Sequence, residues 1–153
     1  MKIMVMTDEP YPNVSPIREG WYFLADSAVS NIGKPFYLPE FMGKTIVGLS
    51  CTVRISRLGK SIDPRFAYRY YAEYAPVLHF VLPAYESELK DRGLPLDASR
   101  SFDRSLFVGE FMSLSDKSPL YLRINGIEKA EFNFNKFNEK IDNSVSAASR
   151  LNT

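Results

Sequence analysis

The sequence predicts one α+β domain in which strands dominate and two or three short helices are inserted between them. Three observations support this fold class. The chain has 153 residues, of which 45% are hydrophobic and 14% aromatic, enough to bury the core of one domain. Residues 45–57 alternate between apolar and polar side chains, as a half-buried strand does. The last part of the chain has apolar residues at helical spacing. We therefore treat residues 1–153 as a single domain.

The N-terminal part predicts little regular structure. Proline and glycine recur over residues 8–20, which predicts an extended arm or loop. Residues 21–24 form a short apolar run, and a second loop is indicated by Gly33 and Pro35. The arm is followed by the more regular remainder of the chain.

The central part predicts a strand followed by a helix. In residues 45–57 one side of the predicted strand carries Val47, Leu49 and Cys51, and the other side carries small or polar residues. Asp63-Pro64 supplies an N-cap and a first-turn proline for a short helix. The aromatic residues at helical spacing in this predicted helix are Phe66, Tyr70 and Tyr74.

The next segments alternate between strand and helix. Residues 76–82 are apolar and predict a strand, and residues 83–93 predict a short helix that ends at a glycine. Residues 106–112 and 120–124 predict two further strands. Asn125-Gly126 predicts a tight hairpin turn after the second of them. The closing amphipathic helix is predicted from Phe137, Ile141, Val145 and Ala148.

Charge and cysteine content restrict the classes of partner and compartment. Nineteen Lys and Arg against eighteen Asp and Glu give a net charge of +1, and no run of like charges favours nucleic acid or an anionic membrane. The N-terminus has no signal-peptide core, and no stretch is apolar enough to span a membrane. The one cysteine, Cys51, cannot form an internal disulfide. We therefore predict a cytoplasmic protein without nucleic-acid or membrane partners.

Few residues are candidates for catalysis. Cys51 lies on the apolar side of a predicted strand, which favours a small buried side chain over a nucleophile. His79 is the only histidine, which excludes every site that needs two; it is either a hydrogen-bonded structural residue or a functional one. Glu86 and Glu88 point in different directions from a helix, so we interpret them as a solvated face.

The loop predicted at residues 94–104 is the best candidate for a binding site. It places Arg100 and Asp103 between a helix and a strand. Arg100 suits a carboxylate ligand, and Asp103 could orient its guanidinium. The alternative is a structural salt bridge.

Several short motifs occur in an order that resembles the fumarylacetoacetate hydrolase family. They are Gly59-Lys60-x-Ile62, Gly93-Leu94-Pro95, Arg100-Ser101-Phe102-Asp103 and Ile124-Asn125-Gly126. The branch most similar to this sequence contains acylpyruvases, oxaloacetate decarboxylases and 2-hydroxyhepta-2,4-diene-1,7-dioate isomerases. The resemblance covers residues 35–149. By this resemblance we expect residues 1–34 to form a divergent N-terminal arm and the family's C-terminal strands to be absent from this sequence.

The resemblance implies a mixed β-sheet roll, usually a homodimer, that holds Mg²⁺ or Mn²⁺ through three carboxylates. The ion polarises a small dicarbonyl acid while a carbon–carbon bond breaks or a proton moves. The positions that match these ligands are Gly48, Ser50 and His79, and the family's pocket lysine matches Arg100. The family's catalytic His and Glu have no counterpart in residues 1–35. We therefore expect no metal cofactor.

Three functional hypotheses follow. The first is a degenerate family member that has lost its metal chemistry and binds a small carboxylate or nothing. Its candidate pocket residues are Ser50, His79, Arg100 and Asp103. The second is an active enzyme whose metal ligands have moved to Asp97, Asp103 and Glu110. The third is a non-catalytic, homo-oligomeric interaction subunit with an aromatic interface formed by Tyr68, Tyr70, Tyr71 and Tyr74.

Overall fold

The computed structural model describes residues 2–7, 20–38, 40, 43–116 and 118–151. In the N-terminal part, strand β1 (Ile3–Thr7) pairs antiparallel with strand β2 (Gly20–Leu24). The apolar run at residues 21–24 is thus part of a strand pair, and β1 was missed by the sequence analysis. The predicted arm at residues 8–20 lies outside the described residues, except for Gly20, which begins β2.

The centre of the fold is a mixed five-stranded sheet, which confirms the predicted α+β class. Its strands run in the spatial order β3-β6-β5-β4, and β7 pairs with β5 beyond the end of β6. The β3–β6 pairing is parallel and the others are antiparallel. The strands are β3 (Val29–Asn31), β4 (Ile46–Ile55), β5 (Tyr71–Val81), β6 (Leu106–Val108) and β7 (Met112–Ser113).

Strand β4 confirms the prediction from alternation, whereas β5 begins earlier than predicted. A 3-10 helix (Pro64–Tyr70) does follow β4, and the carboxylate of Asp63 caps it by accepting the Arg65 amide at 2.9 Å. The helix ends before Tyr74, which was predicted to lie in it. Tyr74 is instead fully buried in β5. Burial of Tyr71 and Tyr74 in the core outweighs the helical spacing of the aromatic residues.

The predicted strand at residues 106–112 is interrupted between β6 and β7. The carbonyl of Pro76 in β5 accepts the Gly109 amide at 2.9 Å. In an antiparallel ladder the nitrogen and carbonyl of one residue face the same neighbouring strand. Pro76 therefore turns its hydrogen-free nitrogen towards this strand, and the ladder cannot continue there.

The helical and hairpin predictions in the rest of the chain are confirmed. Helix α1 (Pro83–Asp91) follows β5, and the predicted loop beyond it contains a one-turn helix α2 (Asp97–Arg100). Strands β8 (Leu120–Ile124) and β9 (Ile127–Phe132) form the hairpin, with both turn residues, Asn125 and Gly126, at positive φ. Helix α3 (Asn138–Leu151) closes the described chain.

Two hydrophobic clusters cover the two faces of the central sheet. One cluster lies between the sheet, the β8–β9 hairpin and α3, and its buried members include Tyr71, Tyr74, Phe134 and Val145. The other joins β5 and β6 to the N-terminal strand pair through Leu24, Ala28, Val77 and Leu106. The second face therefore carries both His79 and the N-terminal strands. Within the described residues, no helix is long and apolar enough to cross a membrane.

Candidate functional site

The three positions that match the family's metal ligands lie on one face of the sheet. In the antiparallel pairing of β4 with β5, Gly48 lies opposite His79 and Ser50 lies opposite Val77. Residues directly opposite each other project from the same face, as do residues two apart on one strand. Gly48 and Ser50 are exposed, and His79 is half-buried. The fold thus brings these positions together, as the resemblance implies.

Both ring nitrogens of His79 are engaged by neighbouring groups. Nε2 lies 3.0 Å from the carbonyl oxygen of Arg100, and Nδ1 lies 3.2 Å from the hydroxyl of Tyr22. A carbonyl oxygen can only accept, so Nε2 carries the hydrogen and Nδ1 accepts from Tyr22 in the neutral ring. Burial, together with the nearby Arg100 charge, lowers the pKa of His79. His79 is therefore neutral at pH 7.

The side chain of Arg100 is held by Glu86. Its Nε and Nη2 donate to the two carboxylate oxygens at 2.7 and 2.8 Å, and the side chains are only 14% and 16% exposed. Lys90 adds a third contact, with Nζ 3.0 Å from Oε1 of Glu86. Hydrogen bonding to Arg100, then to Lys90, and their charges lower the pKa of Glu86 to about 2. The interpretation of Glu86 as part of a solvated face was wrong, because the short α2 turns Arg100 towards α1.

Tyr22 connects the histidine to this ion pair. The guanidinium carbon of Arg100 lies 5.1 Å from the centroid of the Tyr22 ring, while the hydroxyl of the same tyrosine contacts His79. The N-terminal strand pair thus places one aromatic side chain against both residues. Tyr22, His79, Arg100 and Glu86 form a continuous polar network across β2, β5, α1 and α2.

An open depression of about 440 Å³ lies beside this network. Its lining includes Tyr22, Glu86, Lys90 and Arg100 together with Val81, Pro83 and Ser87. Two cationic side chains and one carboxylate give the depression a net charge of +1. The side chain of Lys90 is half exposed, and its ammonium group, which has three N–H donors, lies 3.0 Å from Oε1 of Glu86.

The other predicted site residues do not join this network. Asp103, which was predicted to orient Arg100, is exposed, and Glu86 forms the bidentate pair instead. Asp97, Asp103 and Glu110 do not converge: among the residues that the structure describes, no three His, Cys, Asp or Glu side chains form a group that could hold a metal ion. The relocated ligand set of the second hypothesis is therefore wrong.

The face that carries Gly48, Ser50 and His79 does not fit a hard divalent cation. Mg²⁺ and Mn²⁺ require several oxygen ligands, mainly carboxylates. At the three positions this face offers one hydroxyl and one neutral imidazole, and both imidazole nitrogens are already bonded. No step that uses a bound metal follows from this arrangement.

The single cysteine packs against the first hydrophobic cluster. Cys51 is half-buried beside the core that contains Tyr71 and Tyr74. Burial raises the pKa of its thiol to about 12, so the thiolate needed for nucleophilic attack is not formed at neutral pH. This agrees with the expected structural role of Cys51.

Tyr22, Glu86 and Lys90 were not predicted from the sequence as members of the network. Glu86 and Lys90 are four residues apart, the spacing of an ion pair on a helix, but this spacing does not indicate the contact of Glu86 with Arg100. Tyr22 is 57 residues from His79 in the chain, and no local pattern connects them. Only the pairing of β1 with β2 and their packing on the sheet bring it there.

Neither a protein-family model nor a curated protein matches this sequence. Solved structures do match it. A protein assigned as a fumarylpyruvate hydrolase from Burkholderia cenocepacia is 15% identical with a TM-score of 0.80, covering 98% of this chain and 69% of that one. A protein assigned to the fumarylacetoacetate hydrolase family from Yersinia pestis is 22% identical with a TM-score of 0.77, covering 87% and 66%.

A third similar structure is the fumarylpyruvate hydrolase from Pseudomonas aeruginosa in complex with Mn²⁺ and pyruvate. It is 19% identical with a TM-score of 0.75, covering 94% of this chain and 63% of that one. The chain spans about two thirds of the length of these three proteins. The similarity shows that it has the fold of fumarylacetoacetate hydrolase family proteins, as its motifs predicted.

Proposed function

We propose that this chain is a member of the fumarylacetoacetate hydrolase family that keeps the fold and has lost the divalent-metal chemistry. The fold and the order of the motifs support membership. The observation that supports the loss is the composition of one face of the sheet, where Gly48 lies opposite His79 and Ser50 follows two residues along β4. These positions, which match the family's ligands in the resemblance, lie on one face of the sheet but carry no carboxylate.

The three positions on this face of the sheet lack the negative charge that a divalent cation requires. A divalent cation gives up its water only to a site with enough negative charge and oxygen donors. Gly48 contributes no side chain, Ser50 contributes a neutral hydroxyl, and His79 is already bonded to Tyr22 and Arg100. The carboxylate of the network, Glu86, is neutralised by Arg100 and Lys90.

Titration calorimetry with Mn²⁺ and Mg²⁺ tests this proposal directly. We expect no saturable binding, and no decarboxylation of oxaloacetate or hydrolysis of an acylpyruvate above the uncatalysed rate. Micromolar metal affinity together with turnover would overturn the proposal and would establish an active enzyme.

A gain-of-binding variant makes the test sharper. Gly48→Glu with Ser50→Glu restores an i, i+2 carboxylate pair, and an added Cβ at Gly48 meets no atom within 4 Å. We expect measurable Mn²⁺ binding by this variant. The matched control is Gly48→Gln with Ser50→Gln, which has the same size without charge. Equal metal binding by the two variants would mean that charge at these positions is not what the wild-type protein lacks.

The depression beside Arg100 supports a second part of the proposal, the binding of a small carboxylate. Its net charge of +1 and the half-exposed side chain of Lys90 favour an anion. Arg100 contributes mainly its positive charge, because its Nε and Nη2 already donate to Glu86. Lys90 is therefore the residue that we expect to contact the ligand.

Chemical-shift titration with pyruvate and oxalate tests this carboxylate site. We expect shifts confined to α1, α2 and β2, and about a tenfold weaker affinity in Lys90→Met. Lys129→Met, an exposed lysine on β9, is the control and should leave the affinity unchanged. Identical affinities in the two variants, or an absence of shifts near Lys90, would remove this part of the proposal without affecting the metal result.

A further inference from the structure

Positive charge is concentrated in a short stretch of the chain. Residues 57–69 contain four cationic side chains and one carboxylate, a net charge of +3, while the whole chain carries +1. The remainder of the protein is therefore slightly acidic. The four cations belong to the loop after β4 and to the 3-10 helix Pro64–Tyr70.

The fold holds this loop and this helix together as one surface. The Ser56 amide of the loop donates to the carbonyl of Tyr70 in the 3-10 helix at 2.8 Å. The Ser61 amide fixes the loop to α3 by donating to the Ser149 carbonyl at 2.9 Å. A Cβ at Gly59 would lie 2.3 Å from the Tyr70 ring, so the loop packs directly against the end of the helix. We call the exposed residues of this unit the basic surface: Arg57, Leu58, Lys60, Phe66, Tyr68 and Arg69.

Three cations of the basic surface are available to a partner. Arg65 next to them is neutralised by a bidentate contact with Asp63, at 3.0 and 2.8 Å. Arg57, Lys60 and Arg69 are exposed and form no ion pair with any residue that the structure describes. Their charge is therefore not balanced within the described part of the molecule.

Large apolar side chains lie exposed among these cations. Leu58 is 88% exposed, Phe66 44% and Tyr68 54%. The guanidinium of Arg69 stacks 4.7 Å from the Phe66 centroid and donates from Nε to the Tyr68 hydroxyl at 3.2 Å. Stacking restricts the arginine and lowers the entropy cost of binding. Exposed arginine and aromatic residues in one patch are typical of protein interfaces.

We propose that the basic surface binds an acidic peptide segment of a partner protein that also carries a large apolar side chain. The three unbalanced cations match carboxylates, and Leu58 with Phe66 matches an apolar anchor. A nucleic acid fits less well, because three cations on a chain of net charge +1 provide little of the phosphate neutralisation that such binding requires.

Fluorescence anisotropy of a short labelled peptide of Asp and Glu with a central Trp tests the proposal. We expect saturable binding by the full wild-type chain that weakens with added salt. The triple variant Arg57→Glu, Lys60→Glu and Arg69→Glu should weaken it at least about tenfold. The control variant with the same change in net charge at exposed sites is Lys34→Glu, Lys129→Glu and Lys136→Glu, which should bind as the wild type does.

A second pair of variants tests the apolar part of the surface. Leu58→Ser should weaken peptide binding at least about threefold. The control is Tyr37→Ser: Tyr37 is 77% exposed and is not part of the basic surface, so this variant should leave peptide binding unchanged. Because these side chains are exposed, we expect all the variants to fold, and circular dichroism checks this.

Each of the following results would overturn the proposal: no saturable binding of the peptide by the wild-type chain, equal losses in the triple variant and its control, or tighter binding of an oligo-uridylate of equal charge. Self-association that the triple variant abolishes, without peptide binding, would assign the surface to a second copy of this chain instead.

Discussion

Removing the charge of Glu86 tests the polar network most directly. Glu86→Gln keeps the size and the acceptor oxygen of the side chain but removes the negative charge that holds Arg100 and Lys90. Arg100 then loses its bidentate ionic contact with Glu86 while its side chain stays largely buried, which is costly because a guanidinium cannot lose its proton. The variant should therefore be less stable than the wild type.

The magnitude follows from the pKa of the carboxyl. Its decrease from the ordinary value of 4.5 to about 2 corresponds to about 3 kcal/mol of favourable interaction with the charged form. Solvent at the rim of the depression screens part of this energy, so we expect a loss of about 1–2 kcal/mol in the free energy of unfolding. For a chain of this size, that loss lowers the melting temperature by about 2–4 °C per kcal/mol.

The assay is urea unfolding followed by the fluorescence of Trp21, the only tryptophan. Glu88→Gln is the matched control on the same helix. Glu88 pairs with Arg92 at 3.1 Å, but both side chains are more than half exposed, so the expected loss is below about 0.5 kcal/mol. A double-mutant cycle of Glu86→Gln with Arg100→Met should give a coupling energy of about 1–2 kcal/mol.

The pH dependence gives an independent check. The folded pKa of Glu86 lies below the unfolded one, so its contribution to stability is complete above about pH 4.5 and is lost as the pH falls towards 2. The difference in stability between the wild type and Glu86→Gln should shrink over that range. A Glu86→Gln loss no larger than that of Glu88→Gln, or a difference that does not change with pH, would show that Glu86 does not stabilise the fold through its charge.

Three further predictions concern Gly109, Cys51 and His79. Gly109→Ala should lower the free energy of unfolding by about 1–3 kcal/mol, because the added Cβ would lie 2.6 Å from Pro76 Cγ. Gly48→Ala, where the space is open, is the control and should lower it by less than about 0.5 kcal/mol in the same urea assay. Equal losses in the two variants would contradict this prediction. Burial raises the thiol pKa of Cys51 to about 12, so Cys51 should react with iodoacetamide at pH 8 at least about tenfold more slowly in the native protein than in urea. Equal reaction rates would show that the thiol is accessible in the native protein. His79 should titrate below its ordinary pKa of 6.5 when its ring is followed by NMR. The free energy of unfolding should therefore fall as the pH drops below about 6.5, because the unfolded chain takes up a proton before the folded protein does. Titration of the folded protein at the ordinary pKa would contradict the burial of the neutral ring.

The site could be predicted from the sequence only in part. The alternation of β4 predicted that Gly48 and Ser50 lie on its polar side, and in the register of the sheet Gly48 lies opposite His79. The partners of Arg100 could not be predicted in this way. Asp103 is close to it in sequence, but the pair is formed by Glu86, because the orientation of α2 against α1 decides which carboxylate is within reach.

The tyrosine-rich segment shows the same division. Its spacing suggested a helix with an aromatic interface, but Tyr71 and Tyr74 are buried in the core and Tyr68 is exposed. The aromatic interface of the third hypothesis is therefore wrong for Tyr71 and Tyr74. Local spacing cannot reveal this, because the stabilisation comes from contacts with β4, β9 and α3 that are distant in the chain.

Several features of this fold depend only on residues that are close together in the chain and could be predicted from them. These are the alternation of β4, the Asp63 cap, the Asn125-Gly126 turn and the amphipathic α3, and each follows from backbone preferences or from the periodicity of apolar side chains. The surroundings of His79 and Arg100, in contrast, depend on packing between elements that are distant in the chain. Tyr22 and Glu86 reach them from separate elements, and such contacts depend on how strands and helices pack rather than on any local pattern in the chain.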